Sequence, residues 1–323
     1  MKKYLNIKSI AMLFVMFGVV ALQSCNGSEE FDIDGDPENK VFINTLNAGT
    51  PDIPQNSVVF ALTKTPTSVL VTNGSSIEFQ FSVQCRRPAE KDIIVKFGVD
   101  RSEVLPSYMS FPEGAGIEMD KTELIIPKGA TISQDKMTVS IKNESLGLFS
   151  TLGDYMTSIK VASVENASTS NLTTIPLIIN TRFSNIASVG TTSSGTAISK
   201  TGWSATGGTN PARLYDGTTT TSSYATIPYN TDIILDMASV QTAISLIRFT
   251  YSAAGYVMRT VEIYTRETSS EEWKSQGTAS TTSTNTNHYI TFHEKVNARY
   301  IKFVFLTGAN ASAVRIVELY VHK

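Results

Sequence analysis

The chain has 323 residues, 41% of them hydrophobic and 17% charged, with a formal net charge of −2. That length suits about two domains, and the composition excludes a disordered or fibrous chain. The near-neutral charge excludes nucleic acid as the main partner, because a phosphate backbone demands a basic face. Two cysteines and three histidines leave little material for metal or thiol chemistry.

Lys2, Lys3 and Lys8 precede an apolar run of 13 residues, 10–22. A spanning helix needs about 20, so residues 1–24 are expected to be a signal peptide. The run ends in Leu22-Gln23-Ser24-Cys25, which resembles a lipobox and implies lipidation of Cys25. Residues 25–38 carry Glu29, Glu30, Asp32, Asp34, Asp36 and Glu38 with few apolar neighbours. Such a stretch buries too little surface to fold and is expected to be a flexible tether. An acidic tether after a lipidated cysteine resembles the surface-export signal of Bacteroidetes lipoproteins. The DIDGD string is not a calcium loop: its glycine is fourth rather than sixth, and Ile43 stands where a bidentate Glu is required. Loss of residues 1–24 removes three lysines and no acid, leaving a net charge of −5. With Cys25 acylated, Cys85 stands alone, so no intramolecular disulfide is expected. Cys85 shares the phase of Phe79, Phe81 and Val83, which makes it a buried strand position.

Beyond the tether the periodicity is that of strands. In residues 77–85 (IEFQFSVQC) polar and apolar side chains alternate without a break, the period-2 pattern of a strand with one wet face. Further strands are expected at 93–99, 136–142, 158–164 and 175–180. Turn signals at Asn73-Gly74, Arg87-Pro88, Pro112-Glu113-Gly114 and Pro127-Lys128-Gly129 separate the runs. Residues 39–180 therefore read as an antiparallel sandwich of immunoglobulin type. The ordered segments FSVQCRRPAEKDIIVKFGVD, YMSFPEGAGIEMDKTELIIPKGA and DYMTSIKVASV resemble the N-terminal domain family DUF1735 of Bacteroidetes surface lipoproteins. That resemblance implies an immunoglobulin-like fold and a glycan-capture context, with no catalytic motif.

Residues 181–323 form the second unit. A Thr-, Ser- and Gly-rich stretch at 191–231 leads into strands expected at 233–236, 244–251, 260–265, 288–292, 300–306 and 315–321. NPARLYDGTTTT, DIILDM, VEIYTRETSSEEWKSQG and ARYIKFVFL followed by VRIVELYV together resemble the F5/8 type C (discoidin) family, which includes galactose-binding-like carbohydrate modules. The overall expectation is all-β: an N-terminal immunoglobulin-like β-sandwich and a C-terminal discoidin-like jelly-roll β-sandwich with ligand loops at one end. The resemblance implies a structural Ca2+ ion held by Asp216, Thr221 and Glu318. Thr218 and Ser223 depart from the pattern, which usually has Asp or Asn and Trp there. The alternative is that Asp216 caps a tight turn and Glu318 pairs with a neighbouring cation.

Sugar recognition needs flat apolar faces plus fixed polar groups. The family pattern places these in loops 221–230, 251–259 and 307–313, giving Tyr224, Tyr229, Asn230, Tyr256, Arg259 and Asn310 as candidate ligand residues. Tyr229 and Tyr256 lead because each lies among turn residues, whereas Tyr251 reads equally as a strand end. The arginine that galactose-binding relatives often carry in the second loop has no counterpart in residues 251–254. Trp273 is expected in the core, and Trp203 is expected to be structural.

No HExxH, GxSxG, phosphate-binding loop or CxxC pair occurs. His288 and His293 tend to opposite strand faces, and His322 sits at an expected frayed end. Glu271-Glu272 reads as a solvated hairpin, and two sandwiches leave no room for a hydrolase barrel of about 250 residues. Residues 181–323 carry 12 bases against 9 acids, a slight basic bias. The two resemblances imply a non-catalytic glycan-binding lipoprotein, anchored by lipid in the outer membrane, facing outward and serving a polysaccharide-utilisation system with a transporter partner. The alternatives are an adhesion protein that grips a protein partner and an accessory to a glycoside hydrolase system.

Overall fold

The computed structural model describes residues 39–45, 53–72, 74–192, 195–310 and 312–323. The expected signal peptide, Cys25 and the acidic tether lie outside the described residues. The chain is all-β: among the described residues, helix is confined to three short 3-10 segments.

Thirteen strands build the first half. They are β1 (Lys40–Ile43), β2 (Val58–Lys64), β3 (Val69–Val71), β4 (Ile77–Phe81), β5 (Val83–Cys85), β6 (Ile93–Asp100), β7 (Met109–Ser110), β8 (Ile117–Met119), β9 (Glu123–Ile126), β10 (Met137–Ile141), β11 (Gly153–Glu165), β12 (Ser168–Thr169) and β13 (Thr174–Phe183). One layer is a sheet ordered β3-β2-β13-β11-β6-β9 with β7 on the side of β11; against it lie β12-β1-β5 and β4-β10-β8. The alternating run 77–85 crosses between the two smaller sheets. β4 pairs with β10, and β5 pairs with β1. Between them Ser133 intervenes, its hydroxyl accepting the Val83 N–H at 3.2 Å. Ile77, Phe81, Val83 and Cys85 all remain buried across the switch. The Cys85 thiol donates to the Arg87 carbonyl at 3.0 Å, and burial pushes its pKa up, so it is an inert core group. Deeper in this sandwich Phe149 meets Phe111 and Tyr155 edge-on, each at 5.1 Å between centroids.

The second half comprises β14 (Ile186–Gly190), β15 (Ser204–Thr206), β16 (Ala225–Pro228), β17 (Asp232–Tyr251), β18 (Met258–Arg266), β19 (Lys274–Ser280), β20 (Asn287–Gly308) and β21 (Ala313–His322). Two pairs of expected strands are each one long strand. Residues 233–236 and 244–251 merge into β17, and 288–292 and 300–306 merge into β20. At one end of β17, Asp232–Asp236 lies between β15 and residues 300–304 of β20. At the other end, Leu246–Thr250 lies between residues 287–291 of β20 and the end of β21. Each long strand thus leaves one layer and enters the other, which wraps a single eight-stranded sheet into a jelly-roll sandwich. The corner is a run of three register shifts between Asp236 and Leu246, with Ala238 (φ 68°) in the first and Ala243 (φ 59°) in the second. Asp236 accepts the Ala238 N–H at 2.8 Å and two Arg299 donors at 2.7 and 2.9 Å, which fixes the left-handed step. Inside, Phe249 packs edge-on against Phe303 and Phe305, at 5.1 and 5.6 Å.

Only Ser184 and Asn185 separate β13 from β14. Asn185 is buried. Its amide donates to Gln276 Oε1 and to the Glu294 carbonyl, both at 2.9 Å, and its oxygen accepts the Glu294 N–H at 2.8 Å. Nearby, Gly277 (φ 100°) lets Ser184 approach where a Cβ would stand 2.6 Å from its hydroxyl.

Candidate functional site

Three loops converge at the end of the second sandwich where β16 ends and β21 begins. The first loop is tied to the third by Tyr229, whose hydroxyl donates to the Asn310 carbonyl at 2.6 Å. Gly308 makes room for it, since a Cβ there would run into the Tyr229 hydroxyl. The second loop joins the third through the Ala309 N–H and the Val257 carbonyl, 2.9 Å apart, and joins β21 through the Ser252 N–H and the Arg315 carbonyl, 3.0 Å apart.

At the junction stands Arg315. Its guanidinium lies 3.9 Å from the centroid of the Tyr256 ring and 4.9 Å from that of Tyr224. Each ring offers its negative face to the cation, worth about 0.5–2 kcal/mol per contact. Nε of Arg315 is buried without a hydrogen-bond partner, and no carboxylate among the described residues pairs with the guanidinium. Stacking therefore orients a cation whose charge is left unneutralised. The structure thus brings Tyr224 and Tyr256 together around a residue that the sequence had hidden inside the alternating run VRIVELYV. The one signal available was a lone charge between Val314 and Ile316 at a strand start.

The other candidate ligand residues take up local duties. Tyr229 is half-buried with its hydroxyl on backbone carbonyls, and burial raises its pKa, so it braces the loops. The Asn310 side-chain oxygen accepts the Ser312 N–H at 3.1 Å and caps its own turn. Asn230 is exposed, holds a left-handed φ of 58° and donates its N–H to the Phe305 carbonyl at 2.8 Å. Arg259 donates to the Ser283 carbonyl at 2.8 Å and so ties down the loop that precedes β20. Tyr251 closes β17 and is 1% exposed, a core residue.

A second constellation lies on the outer face of β21, beneath residues 195–218. The Ile198 N–H donates to the Val321 carbonyl at 2.8 Å, and the Lys323 N–H to the Thr196 carbonyl at 3.0 Å. This edge pairing carries Lys200 over β21. The Lys200 ammonium sits 3.7 Å from the centroid of the Tyr320 ring and pairs with Oε1 of Glu318, which is 0% exposed. Burial draws the Lys200 pKa down to about 8, with the Asp216 charge acting against that fall and the Arg248 charge adding to it. Asp216 holds its own turn: Oδ2 accepts from Arg213 at 2.7 Å and Oδ1 from the Thr218 N–H at 2.8 Å.

Residues 191–319 match the family model of the F5/8 type C domain. The chain carries an F5/8 type C domain. Residues 38–168 match the model of an N-terminal domain family, over the span that resembles DUF1735. Among curated proteins no sequence matches this chain. A two-domain protein of unknown function from Bacteroides fragilis shares the fold at 15% identity and a TM-score of 0.62, with 99% of this chain and 100% of that one covered. A family 32 carbohydrate-binding module from Clostridium perfringens NanJ, solved in complex with galactose, aligns at 17% identity and a TM-score of 0.35, over 40% of this chain and all of that one. A Clostridium perfringens CBM32 module, solved with GalNAc-β-1,3-galactose, aligns at 15% identity and a TM-score of 0.34, again over 40% and 100%.

Within the F5/8 type C domain, the three residues expected to hold calcium have these surroundings. Asp216 has both oxygens engaged, Thr221 is exposed, and an ammonium lies on Oε1 of Glu318, whose Oε2 is buried without a hydrogen-bond partner. Among the described residues no group of three or more His, Cys, Asp and Glu gathers in a metal-binding arrangement.

Two further expectations are corrected. Trp273 is not a core residue: it lies half-exposed on the outer face, with Arg266 at 4.2 Å and Lys302 at 5.2 Å from its ring. Cation–π contact rather than burial accounts for a tryptophan there. His322 does not fray; it is 7% exposed within β21. Trp203 is a core residue at 5% exposure, His288 is buried and His293 exposed. Glu271 accepts the Glu267 N–H at 3.1 Å across the hairpin, while Glu272 is exposed.

Proposed function

We propose that this chain is a non-catalytic glycan-binding lipoprotein of the cell surface, and that its F5/8 type C domain takes carbohydrate at the loop end around Arg315. The observation that carries this reading is the Tyr224–Arg315–Tyr256 stack. Ordered tyrosine rings give the C–H face of a pyranose a flat partner, and an unneutralised guanidinium offers donors to its hydroxyl or carboxylate oxygens. The family match supports the reading, and the Clostridium modules of the same architecture were solved with sugars. Residues 251–254 of the second loop hold no arginine, but Arg315 reaches that loop from β21, with its guanidinium 3.9 Å from the centroid of the Tyr256 ring. Lipid on Cys25 would anchor the chain in the outer membrane, the acidic tether would space it outward, and the first sandwich would serve as stalk for a polysaccharide-utilisation system. A shallow loop site gives modest affinity, which an array of copies on a cell raises by avidity.

The test is binding of the folded chain to a broad panel of plant, microbial and host glycans. A specific hit is expected, and Arg315→Ala should weaken it on the order of tenfold or more, as loss of a charged hydrogen-bond donor does. Tyr256→Ala should weaken it as well. A blank across the panel, from protein with a cooperative melt, overturns the reading in favour of a protein ligand.

A further inference from the structure

We propose that Lys200 is the built-in cation of this F5/8 type C domain: its ammonium takes the position between Glu318 and the Asp216 turn where a metal ion would otherwise be needed, and the fold is complete without calcium. Three observations converge. Glu318 projects from the outer face of β21 yet is 0% exposed, because residues 195–218 cover it. A carboxylate so enclosed requires a positive partner. Lys200 provides one from the covering segment itself, its side chain 17% exposed and its ammonium braced on the Tyr320 ring at 3.7 Å. The Asp216 turn lies on the same covering segment and is closed by the chain's own donors, Arg213 and the Thr218 N–H. Both Asp216 oxygens are thus taken by a guanidinium and a backbone N–H, and Oε1 of Glu318 by an ammonium, which leaves Oε2 of Glu318, buried without a hydrogen-bond partner, as the one unclaimed carboxylate oxygen of the two residues.

This has a consequence for the architecture. Residues 195–223 hold little regular structure, with β15 and one 3-10 turn among them, and they lead directly into Tyr224 and β16. Lys200 clamps that segment to β21, the strand that also bears Arg315. The clamp is covalent with the chain, so it does not vary with the ionic conditions outside the cell.

The experiment is calorimetric melting of the full chain in millimolar calcium chloride or in EDTA, alongside Lys200→Met and the pair Lys200→Met/Glu318→Gln. The wild-type transition is expected to be the same in both buffers. Lys200→Met should lower the melting temperature of the second half by roughly 10 °C, as an uncompensated buried carboxylate does. The double variant should regain most of that loss, since it removes the orphaned charge. A wild-type transition that rises with calcium and falls with EDTA overturns the proposal, as does a Lys200→Met chain that melts with the wild type. If Lys200→Met does not fold at all, recovery of a folded double variant supports the proposal, and the wild-type calcium comparison decides it independently.

Discussion

The two sandwiches share one alternating pattern and differ in what they enclose. In the first, the buried polar side chains among the described residues are Asn56, Ser57, Thr65, Ser133, Ser145, Thr157, Ser158 and Thr181, none of them charged. The second buries a carboxylate, Glu318, and two imidazoles, His288 and His322. They also close differently. The first divides its wall among separate sheets with short strands, whereas the second folds one sheet over itself with strands of 20 and 22 residues. Long strands that bend at fixed bulges leave their ends in set positions, and the Arg315 site is built at such an end. The first half shows how a scaffold is made from neutral packing, and the second how a scaffold with a site admits charge. Glu318 meets the Lys200 ammonium, while Arg315 is held by two tyrosine rings without a carboxylate among the described residues.

That contrast can be tested from large effects to small. Phe249→Ala, at the centre of the second core, should cost about 3–5 kcal/mol in that half, read by calorimetry as a downward shift of one transition. Asn185→Ala strips partners from Gln276 and from the Glu294 backbone and should cost about 1–3 kcal/mol. It tests whether the junction belongs energetically to the second sandwich, because its partners all lie there. pH supplies a sharper discriminator. Burial, aided by the Arg259 charge, holds the His288 pKa below the ordinary 6.5. The unfolded chain therefore takes up the proton first. Stability is whole above about pH 6.5 and is lost as pH falls below it, by at most ~1.4 kcal/mol per pH unit. The first half has no histidine, so its transition should stay level from about pH 7 to 5.5, and His288→Phe should flatten the response of the second. Lys96→Ala removes an exposed pair with Glu165 and should move stability by less than about 1 kcal/mol.

Much of the fold was legible because alternation is a direct record of which face is wet. Residues 77–85 kept their inward side even while changing sheets, since an extended chain needs no change of phase to acquire new partners. The merging of strands was not legible. Where β17 and β20 cross between layers, stretches such as 237–243 and 293–299 turn polar and irregular, and a corner then reads as a loop. Trp273 misled for a related reason: period 2 identifies two faces, and a tryptophan suggests burial unless cations flank it in space. At the candidate site, Tyr256 was legible as a turn aromatic and Tyr224 only as a loop residue of the family pattern, while Tyr229, the other turn aromatic, braces the loops through its hydroxyl. Arg315 was not legible, because a strand start inside an apolar run resembles any other strand. Lys200, in AISKTGW, is an ordinary surface lysine by every local criterion, and only the enclosure of Glu318 gives it a role.

Trp203 and Trp273 are the two tryptophans of the chain, and both belong to the second sandwich. Intrinsic emission excited at the red edge of protein absorbance therefore reports on that half alone, with one reporter sealed in the core and one open on the outer face between a guanidinium and an ammonium. A collisional quencher in solution reaches the open ring and spares the sealed one. The first sandwich is dark at these wavelengths, so the unfolding of the two halves can be followed separately in the intact chain without a label.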